Sequence, residues 1–303
     1  MKIAMVGLGK MGMNLVKNML DSNYSVIVYD LDKEKRDKAK ALQVKVANSL
    51  PEIVNSFEDG EKKIIWSMVP HGKPTDAVFE SMLEILSSND IFIDGGNSNY
   101  KESIKKSAQL EEKGIYFLDV GTSGGVSGAR HNGCFMIGGQ KSAFKYVEKL
   151  FKDIADENGY LYTGEAGSGH YLKMVHNGIE YGMMEAIAEG FEILEKSHYK
   201  YQLAEVARVW NHGSVIRSWL MELAEAAFEK DPGLSEIMDV AHASGEAQWT
   251  TEEAFDLQVP VPVIALSLMV RMRSMEEESF TTKVVSALRN GFGGHEMEKK
   301  IRD

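Results

Sequence analysis

Over the first half of the chain, short apolar runs alternate with amphipathic stretches, and near residue 165 that alternation stops. The runs that read as strands are Ile3–Val6, Ser25–Tyr29, Lys63–Val69, Ile91–Asp94, Tyr116–Val120, Phe135–Ile137 and Gly159–Tyr162. Between several of them lie stretches with apolar residues at helical spacing, such as Met11–Asp21 and Tyr100–Lys113. Strands alternating with helices predict a parallel sheet covered on both faces. From about Gly167 onward the strand signal disappears. Tyr171–Lys196, Leu203–Ala227 and Val263–Met275 keep a helical spacing, and Asp231-Pro232-Gly233 reads as a helix stop and turn. The pattern predicts a doubly wound α/β domain over residues 1–165 and an all-α domain over residues 166–303.

Composition narrows the class of partner. The chain has 303 residues, 44% hydrophobic and 26% charged, enough apolar surface for two cores. Acidic residues outnumber basic ones by 45 to 34, a formal net charge of −11, with no long Lys/Arg run. A nucleic acid or an anionic membrane is therefore a poor partner, although a few local arginines can still hold an anionic substrate. The single cysteine, Cys134, can form no intramolecular disulfide and no cysteine zinc cage, which fits a reducing compartment. The chain starts directly in a strand-like run, with no signal peptide ahead of it. Its longest apolar stretch, Val259–Val270, contains two prolines and falls short of the ~20 residues a membrane span needs. The expected location is cytoplasmic.

Gly7-Leu8-Gly9-Lys10-Met11-Gly12 follows the first strand and opens the first helix. Glycines there permit a tight turn, close approach of backbone to a pyrophosphate, and close helix–strand packing. The helix N-terminus offers unpaired N–H groups and a positive dipole end to phosphates. The second strand ends in Tyr29-Asp30, about 20 residues further on, where a carboxylate can accept from ribose hydroxyls and repel a 2′-phosphate. This order of strand, glycines, helix and acid predicts a Rossmann-type dinucleotide site. Leu31, where an NADP enzyme often supplies an arginine, favours NAD, with NADP possible as the lesser choice. Met68 and Val69, closing the third long strand candidate, are assigned to the same cofactor site, together with Asn97.

The stretch Gly169–Tyr181 is the richest in chemistry. Lys173, His176, Asn177, Glu180 and Tyr181 fall on one helix face, with Met174, Val175 and Ile179 opposite and free to pack into the domain. A solvated face is the ordinary explanation of such spacing. Against it stand the small and apolar neighbours Gly178, Gly182, Met183 and Met184, which imply burial, and a residue set that supplies a base, an acid and two anchors.

At this point the chain resembles the 6-phosphogluconate dehydrogenases, most closely their short bacterial form, over essentially its whole length. The resemblance rests on motifs in matching order: Gly7–Gly12; Asp94-Gly95-Gly96-Asn97-Ser98; Ser123-Gly124-Gly125 with Gly128-Ala129-Arg130; Lys173 through Tyr181; and Arg289-Asn290-Gly291-Phe292-Gly293-Gly294-His295. It implies NAD-dependent oxidative decarboxylation of 6-phosphogluconate, a step of the pentose phosphate pathway and of gluconate utilisation, with no metal. Lys173 and Glu180 would be the catalytic pair, the first taking the 3-hydroxyl proton during hydride transfer and the second protonating the enediol. Asn97, Ser123, Gly124, Gly125, His176 and Asn177 would contact the substrate. Tyr181, Arg271 and Arg289 would complete its phosphate end, and His295 would also contact the substrate. Substrate and cofactor would meet in a cleft between the domains. The tail would reach a neighbouring subunit's site, implying a homodimer or homotetramer.

One departure stands out. Longer relatives carry a lysine in the segment before the Trp-Thr pair, whereas Ser244-Gly245-Glu246-Ala247-Gln248-Trp249-Thr250 has no cation. A β-hydroxyacid dehydrogenase of the 3-hydroxyisobutyrate type shares the fold and a similar lysine, and is the nearest rival. A non-catalytic NAD-binding protein on this fold is the rival from another class.

Overall fold

The computed structural model describes residues 1–293 and 296–298. Its strands are β1 (Lys2–Val6), β2 (Ser25–Tyr29), β3 (Lys45–Val46), β4 (Ile64–Ser67), β5 (Ile91–Asp94), β6 (Tyr116–Ser123), β7 (Gly133–Gly139) and β8 (Ala155–Gly164). They form one sheet in the order 3-2-1-4-5-6-7-8. The helices between them are α1 (Lys10–Asp21), α2 (Lys33–Lys40), α3 (Leu50–Val54), α4 (Lys73–Ile85), α5 (Tyr100–Glu111), α6 (Gly125–Arg130) and α7 (Lys141–Ile154). After the sheet come α8 (Ser168–Lys196), α9 (Leu203–Asn211), α10 (Trp219–Lys230), α11 (Gly245–Asp256), α12 (Pro262–Ser274) and α13 (Phe280–Gly293). The chain is thus a Rossmann-like α/β domain followed by helices.

The unbroken apolar runs of the strands follow from burial on both faces. Ile3 and Met5 of β1 join Trp66, Phe135 and Phe151 in one core, while Ala4 and Val6 join Ile27, Phe92 and Phe117 in the other. Strand order turns back at β1, which pairs with β2 on one side and β4 on the other. In open α/β sheets that reversal opens a crevice at the carboxyl ends of the strands.

Three features depart from the sequence reading. The sheet is not wholly parallel: β6 and β7 pair antiparallel, Val120 opposite Ile137 and Ser123 opposite Cys134. Only residues 124–132 join them, too few for the crossover a parallel pair requires. The second departure is β3, two residues long at the sheet edge, too short for periodicity to reveal. The third is the stretch Leu203–Ala227, which is two helices rather than one. Gly213 takes φ of +86°, and the Ser218 hydroxyl accepts from the Met221 N–H at 3.2 Å to start α10 afresh. Across the break, Arg208 of α9 donates to Glu225 and Glu229 of α10 at 2.7 and 2.6 Å.

By its internal contacts the chain forms two compact units, Met1–Asn177 and Gly178–Asp303, the division falling within α8.

Candidate active site

The cofactor loop is built as its glycines predict. Gly7 has φ of +97°, and a Cβ there would stand 2.6 Å from the Met68 carbonyl oxygen. A Cβ on Gly12 would fall 2.0 Å from the Gly7 carbonyl oxygen. By contrast, a Cβ on Gly9 would meet nothing within 4 Å among the described residues. Gly9 is also the N-cap of α1, with no side-chain cap hydrogen bond from it. Open space in front of uncapped N–H groups at Lys10, Met11 and Gly12 suits a pyrophosphate, so these residues fit a dinucleotide.

Asp30 does more than the sequence suggests. Its Oδ2 accepts from the Leu8 N–H at 2.7 Å and its Oδ1 from the Asp32 N–H at 2.8 Å. The carboxylate therefore braces the glycine loop, and its remaining lone pairs can still take ribose hydroxyls. Arg36 is drawn inward, donating to the carbonyls of Asp30 and Leu31 at 2.6 and 2.9 Å, while the Lys35 ammonium lies 3.7 Å from Asp30 Oδ2.

Met68 and Val69, just beyond β4, are wedged between two glycine loops. A Cβ on Gly95 would stand 2.6 Å from Met68 Sδ, and one on Gly96 would stand 2.8 Å from the Val69 carbonyl oxygen. Asp94, buried at the end of β5, shapes the second loop by accepting from the Gly96 N–H at 3.1 Å and the Ser98 hydroxyl at 2.7 Å. Asn97 is left exposed at the loop's crest, and Asn99 caps α5 through the Lys101 N–H at 2.9 Å.

Around Lys173 the first unit gathers several polar groups. Lys173 is buried, 7% exposed, with its Nζ 3.5 Å from His176 Nδ1. His176 Nδ1 lies 2.9 Å from Asn177 Oδ1, and His176 Nε2 lies 3.1 Å from Ser123 Oγ. Both contacts are satisfied when the neutral ring donates from Nδ1 to Asn177 and accepts at Nε2 from the Ser123 hydroxyl. Gly124, with φ of +100°, and Gly125 then turn the chain into α6. Cys134, opposite Ser123, is exposed as a residue. Partial burial of its sulfur pushes the thiol up, partly offset by the positive charge of Lys173.

The face assigned to packing is only partly buried. Met174 is buried but Ile179 is 52% exposed, and the buried positions of this stretch include the polar Lys173 and Asn177. Polarity and burial coincide here, which is the arrangement of a site rather than of a solvated surface.

In the second unit, Glu180 is half-buried on α8. The Tyr181 hydroxyl accepts from the Ser244 N–H at 2.9 Å and lies 3.1 Å from Ser244 Oγ, while the Arg271 guanidinium lies 3.5 Å above the Tyr181 ring. Arg273 turns away to Glu276 at 2.6 Å. Tyr181, Arg271 and Ser244 thus form one cluster. Arg289 is exposed on α13, and His295 lies outside the described residues. Among the described residues no three His, Cys, Asp or Glu side chains gather as for a metal ion. No described helix is long and apolar enough to cross a membrane.

Sequence reasoning overlooked Asp119 and Ser244. An acid inside the apolar run Tyr116–Val120 was a visible signal of a buried, partnered carboxylate. Nothing marked Ser244 beyond the missing cation in its segment.

A switch-point glycine loop, an acid after the second strand and a polar helix following the sheet define a pyridine-nucleotide dehydrogenase of the Rossmann type. Known proteins narrow this class. Residues 2–164 match the NAD binding domain of 6-phosphogluconate dehydrogenase, and residues 169–300 match the 6-phosphogluconate dehydrogenase C-terminal domain. The chain belongs to the 6-phosphogluconate dehydrogenase family and is an oxidoreductase. It is 55% identical over 300 residues to YqeC of Bacillus subtilis, a provisionally named 6-phosphogluconate dehydrogenase, covering 99% of this chain and 100% of that one. It is 39% identical over 302 residues to the NAD(+)-dependent, decarboxylating 6-phosphogluconate dehydrogenase of Haloferax volcanii, covering 99% of each. Plasmodium falciparum 6-phosphogluconate dehydrogenase superposes with a TM-score of 0.83 at 29% identity, covering 100% of this chain and 67% of that one.

Proposed function

We propose that this protein oxidatively decarboxylates 6-phosphogluconate to ribulose 5-phosphate and CO2 with NAD, serving the pentose phosphate pathway and gluconate utilisation. The observation that carries the reading is Lys173, a buried amine set beside the Ser123–His176–Asn177 chain. When bound, the nicotinamide supplies the hydride acceptor. Lys173, in its neutral form, takes the proton of the 3-hydroxyl as C3 becomes a carbonyl; burial of an amine favours that form. The lysine ammonium then polarises the new carbonyl. The bond between C1 and C2 breaks, CO2 leaves, and the electron pair of that bond forms the enediol as the Lys173 ammonium returns its proton to the former carbonyl oxygen. Glu180, two helical turns after Lys173, protonates the substrate's C2, which becomes C1 of the product. His176, Asn177, Ser123 and Asn97 orient hydroxyls. Tyr181 and Arg271, with Arg289, take the phosphate. Glu180→Gln is expected to cut kcat by about 100-fold or more while NAD affinity holds; loss of NAD affinity alone would remove Glu180 from the acid role.

Asp30 supports NAD, because a 2′-phosphate would meet its carboxylate and Arg36 is already committed to backbone carbonyls. The Haloferax volcanii relative is named for NAD, although a Bacillus subtilis relative 38% identical over 294 residues, covering 91% of this chain and 62% of that one, is named for NADP.

A homo-oligomer completes the reading. Val263, Leu266, Met269 and Val270 of α12 leave an apolar stripe uncovered, and a second copy of the chain is the proposed cover.

The test is an absorbance assay of 6-phosphogluconate with NAD and NADP side by side, with trapping of CO2. NADH and CO2 in equal amounts are expected. Reduction of NAD by a short β-hydroxyacid without CO2 would favour the 3-hydroxyisobutyrate type. That fold is shared by a Mycobacterium tuberculosis enzyme at a TM-score of 0.71 and 22% identity.

A further inference from the structure

Alternate residues of β6 meet successive turns of α8. The Asp119 carboxylate, wholly buried, accepts from the Gly167 N–H at 2.7 Å and from the His170 N–H at 2.8 Å, where α8 begins. Two residues along the strand, a Cβ on Gly121 would stand only 2.4 Å from Lys173 Cβ and 3.0 Å from its Cγ. Two residues further, Ser123 Oγ reaches His176 Nε2 at 3.1 Å. Same-face strand positions, two apart, thus engage helix positions about one turn apart.

No side chain separates the two elements at the helix start. A Cβ on Gly169 would lie 2.4 Å from the Asp119 carbonyl oxygen and 2.5 Å from that of Met136. A Cβ on Gly138 would lie 2.7 Å from Asp119 Oδ1. In this packing the helix cannot roll or slide without losing a bond of Asp119 or driving Lys173 into β6. A carboxylate at a helix N-terminus is stabilised by the free N–H groups and the dipole. Here it is supplied by the strand that also carries Ser123, so one strand fixes both the helix and a group proposed to touch the substrate.

We infer that Asp119 and Gly121 are positioning residues: Asp119 fixes the setting of α8, and Gly121 admits the Lys173 stem against β6. The inference rests on the reading of Lys173 as the proton acceptor. Neither residue touches the substrate in this scheme. Their substitution moves the amine relative to His176 and Ser123, and a misplacement near 1 Å can cost about 100-fold in rate.

The test uses Gly121→Ala and Asp119→Asn in the full chain, with Ile154→Val as a control that trims the core far from Lys173 in sequence. Each is assayed for kcat, for KM of NAD and of 6-phosphogluconate, and for Tm. Acetic anhydride labelling of Lys173 relative to exposed Lys141, read by mass spectrometry at fixed pH, gives a measure that needs no turnover. For Gly121→Ala the expectation is a kcat loss of about 100-fold, with KM for NAD within about twofold. The Lys173 labelling ratio should change by more than about threefold in both variants, because burial controls amine reactivity. Ile154→Val should lower Tm and leave kcat and labelling as in the parent. If Gly121→Ala does not fold, Asp119→Asn, which keeps the shape of the side chain, decides through the same readouts. Unchanged labelling with kcat within about threefold in the folded variants would overturn the inference. If the parent turns over no 6-phosphogluconate while labelling shifts as expected, the substrate assignment falls and the positioning roles stand.

Discussion

The two units of the chain differ in how far they satisfy themselves. In the α/β unit the side chains Trp66, Phe79, Phe92, Phe117, Phe135 and Phe151 are all fully buried. Its two cores sit on opposite faces of one sheet, and most residues of β1, β2, β4 and β5 belong to one or the other. The helical unit has smaller cores, one around Phe191, Ala207, Met221 and Phe228 and one around Tyr181, Ala247 and Leu268. Meanwhile Phe255, Leu266, Met269, Phe280 and Leu288 remain largely exposed. A sheet covered on both faces closes its own core. Helices apolar on several sides need other surfaces to cover them. The difference teaches that the α/β unit closes its core with its own chain, whereas the helical unit leaves apolar surface for which a second copy is the proposed cover.

Disrupting the proposed assembly is the largest way to break the contrast. Leu266→Asp combined with Met269→Asp is expected to convert the oligomer to monomers in sedimentation, with activity falling by about tenfold or more. An unchanged sedimentation coefficient would return α12 to the status of a bare surface. A change in the other half should act without touching assembly. Asp30→Ala removes the acceptor of the Leu8 and Asp32 N–H groups, and is expected to raise KM for NAD by about tenfold and narrow the preference over NADP. Steady-state assays with both nucleotides check this, and an unaltered ratio would leave Asp30 a loop brace alone. Smaller still is Ser244→Ala, which removes the hydroxyl beside Tyr181 and should raise KM for 6-phosphogluconate by about threefold.

The smallest effect concerns pH. Burial holds the Cys134 thiol protonated above the ordinary thiol range, so thiolate is scarce at neutral pH and grows as pH rises. Iodoacetamide alkylation should be slow at pH 7 and should climb by about tenfold per unit without levelling off by about pH 8.5, the ordinary cysteine midpoint. A rate that levels off below that pH would show a thiol pulled down by Lys173 rather than pushed up by burial.

Legibility in the sequence divided between local demands and contacts distant along the chain. The runs Ser25–Tyr29 and Ile91–Asp94 coincide with β2 and β5, because a strand buried on both faces is written as an unbroken apolar run. The glycine loop was legible because each glycine answers a local backbone demand. What escaped depends on contacts distant along the chain. The antiparallel turn of β7 is set by the length of a connection, and Asp119 reads as a stray acid until its partners, Gly167 and His170, arrive across the fold. Likewise Ser244 meets Tyr181 only through tertiary packing. The break at Gly213 carried a local signal, since Asn211-His212-Gly213-Ser214 holds turn residues that the apolar spacing on either side masked.

Lys173→Met tests the central assignment most directly. In the variant, single-turnover absorbance with 6-phosphogluconate should show hydride transfer slowed by about 1000-fold or more, while fluorescence titration gives an NAD affinity equal to that of the parent. Near-normal transfer in the variant, or a loss of rate explained by lost NAD binding, would contradict the role of Lys173 as the proton acceptor.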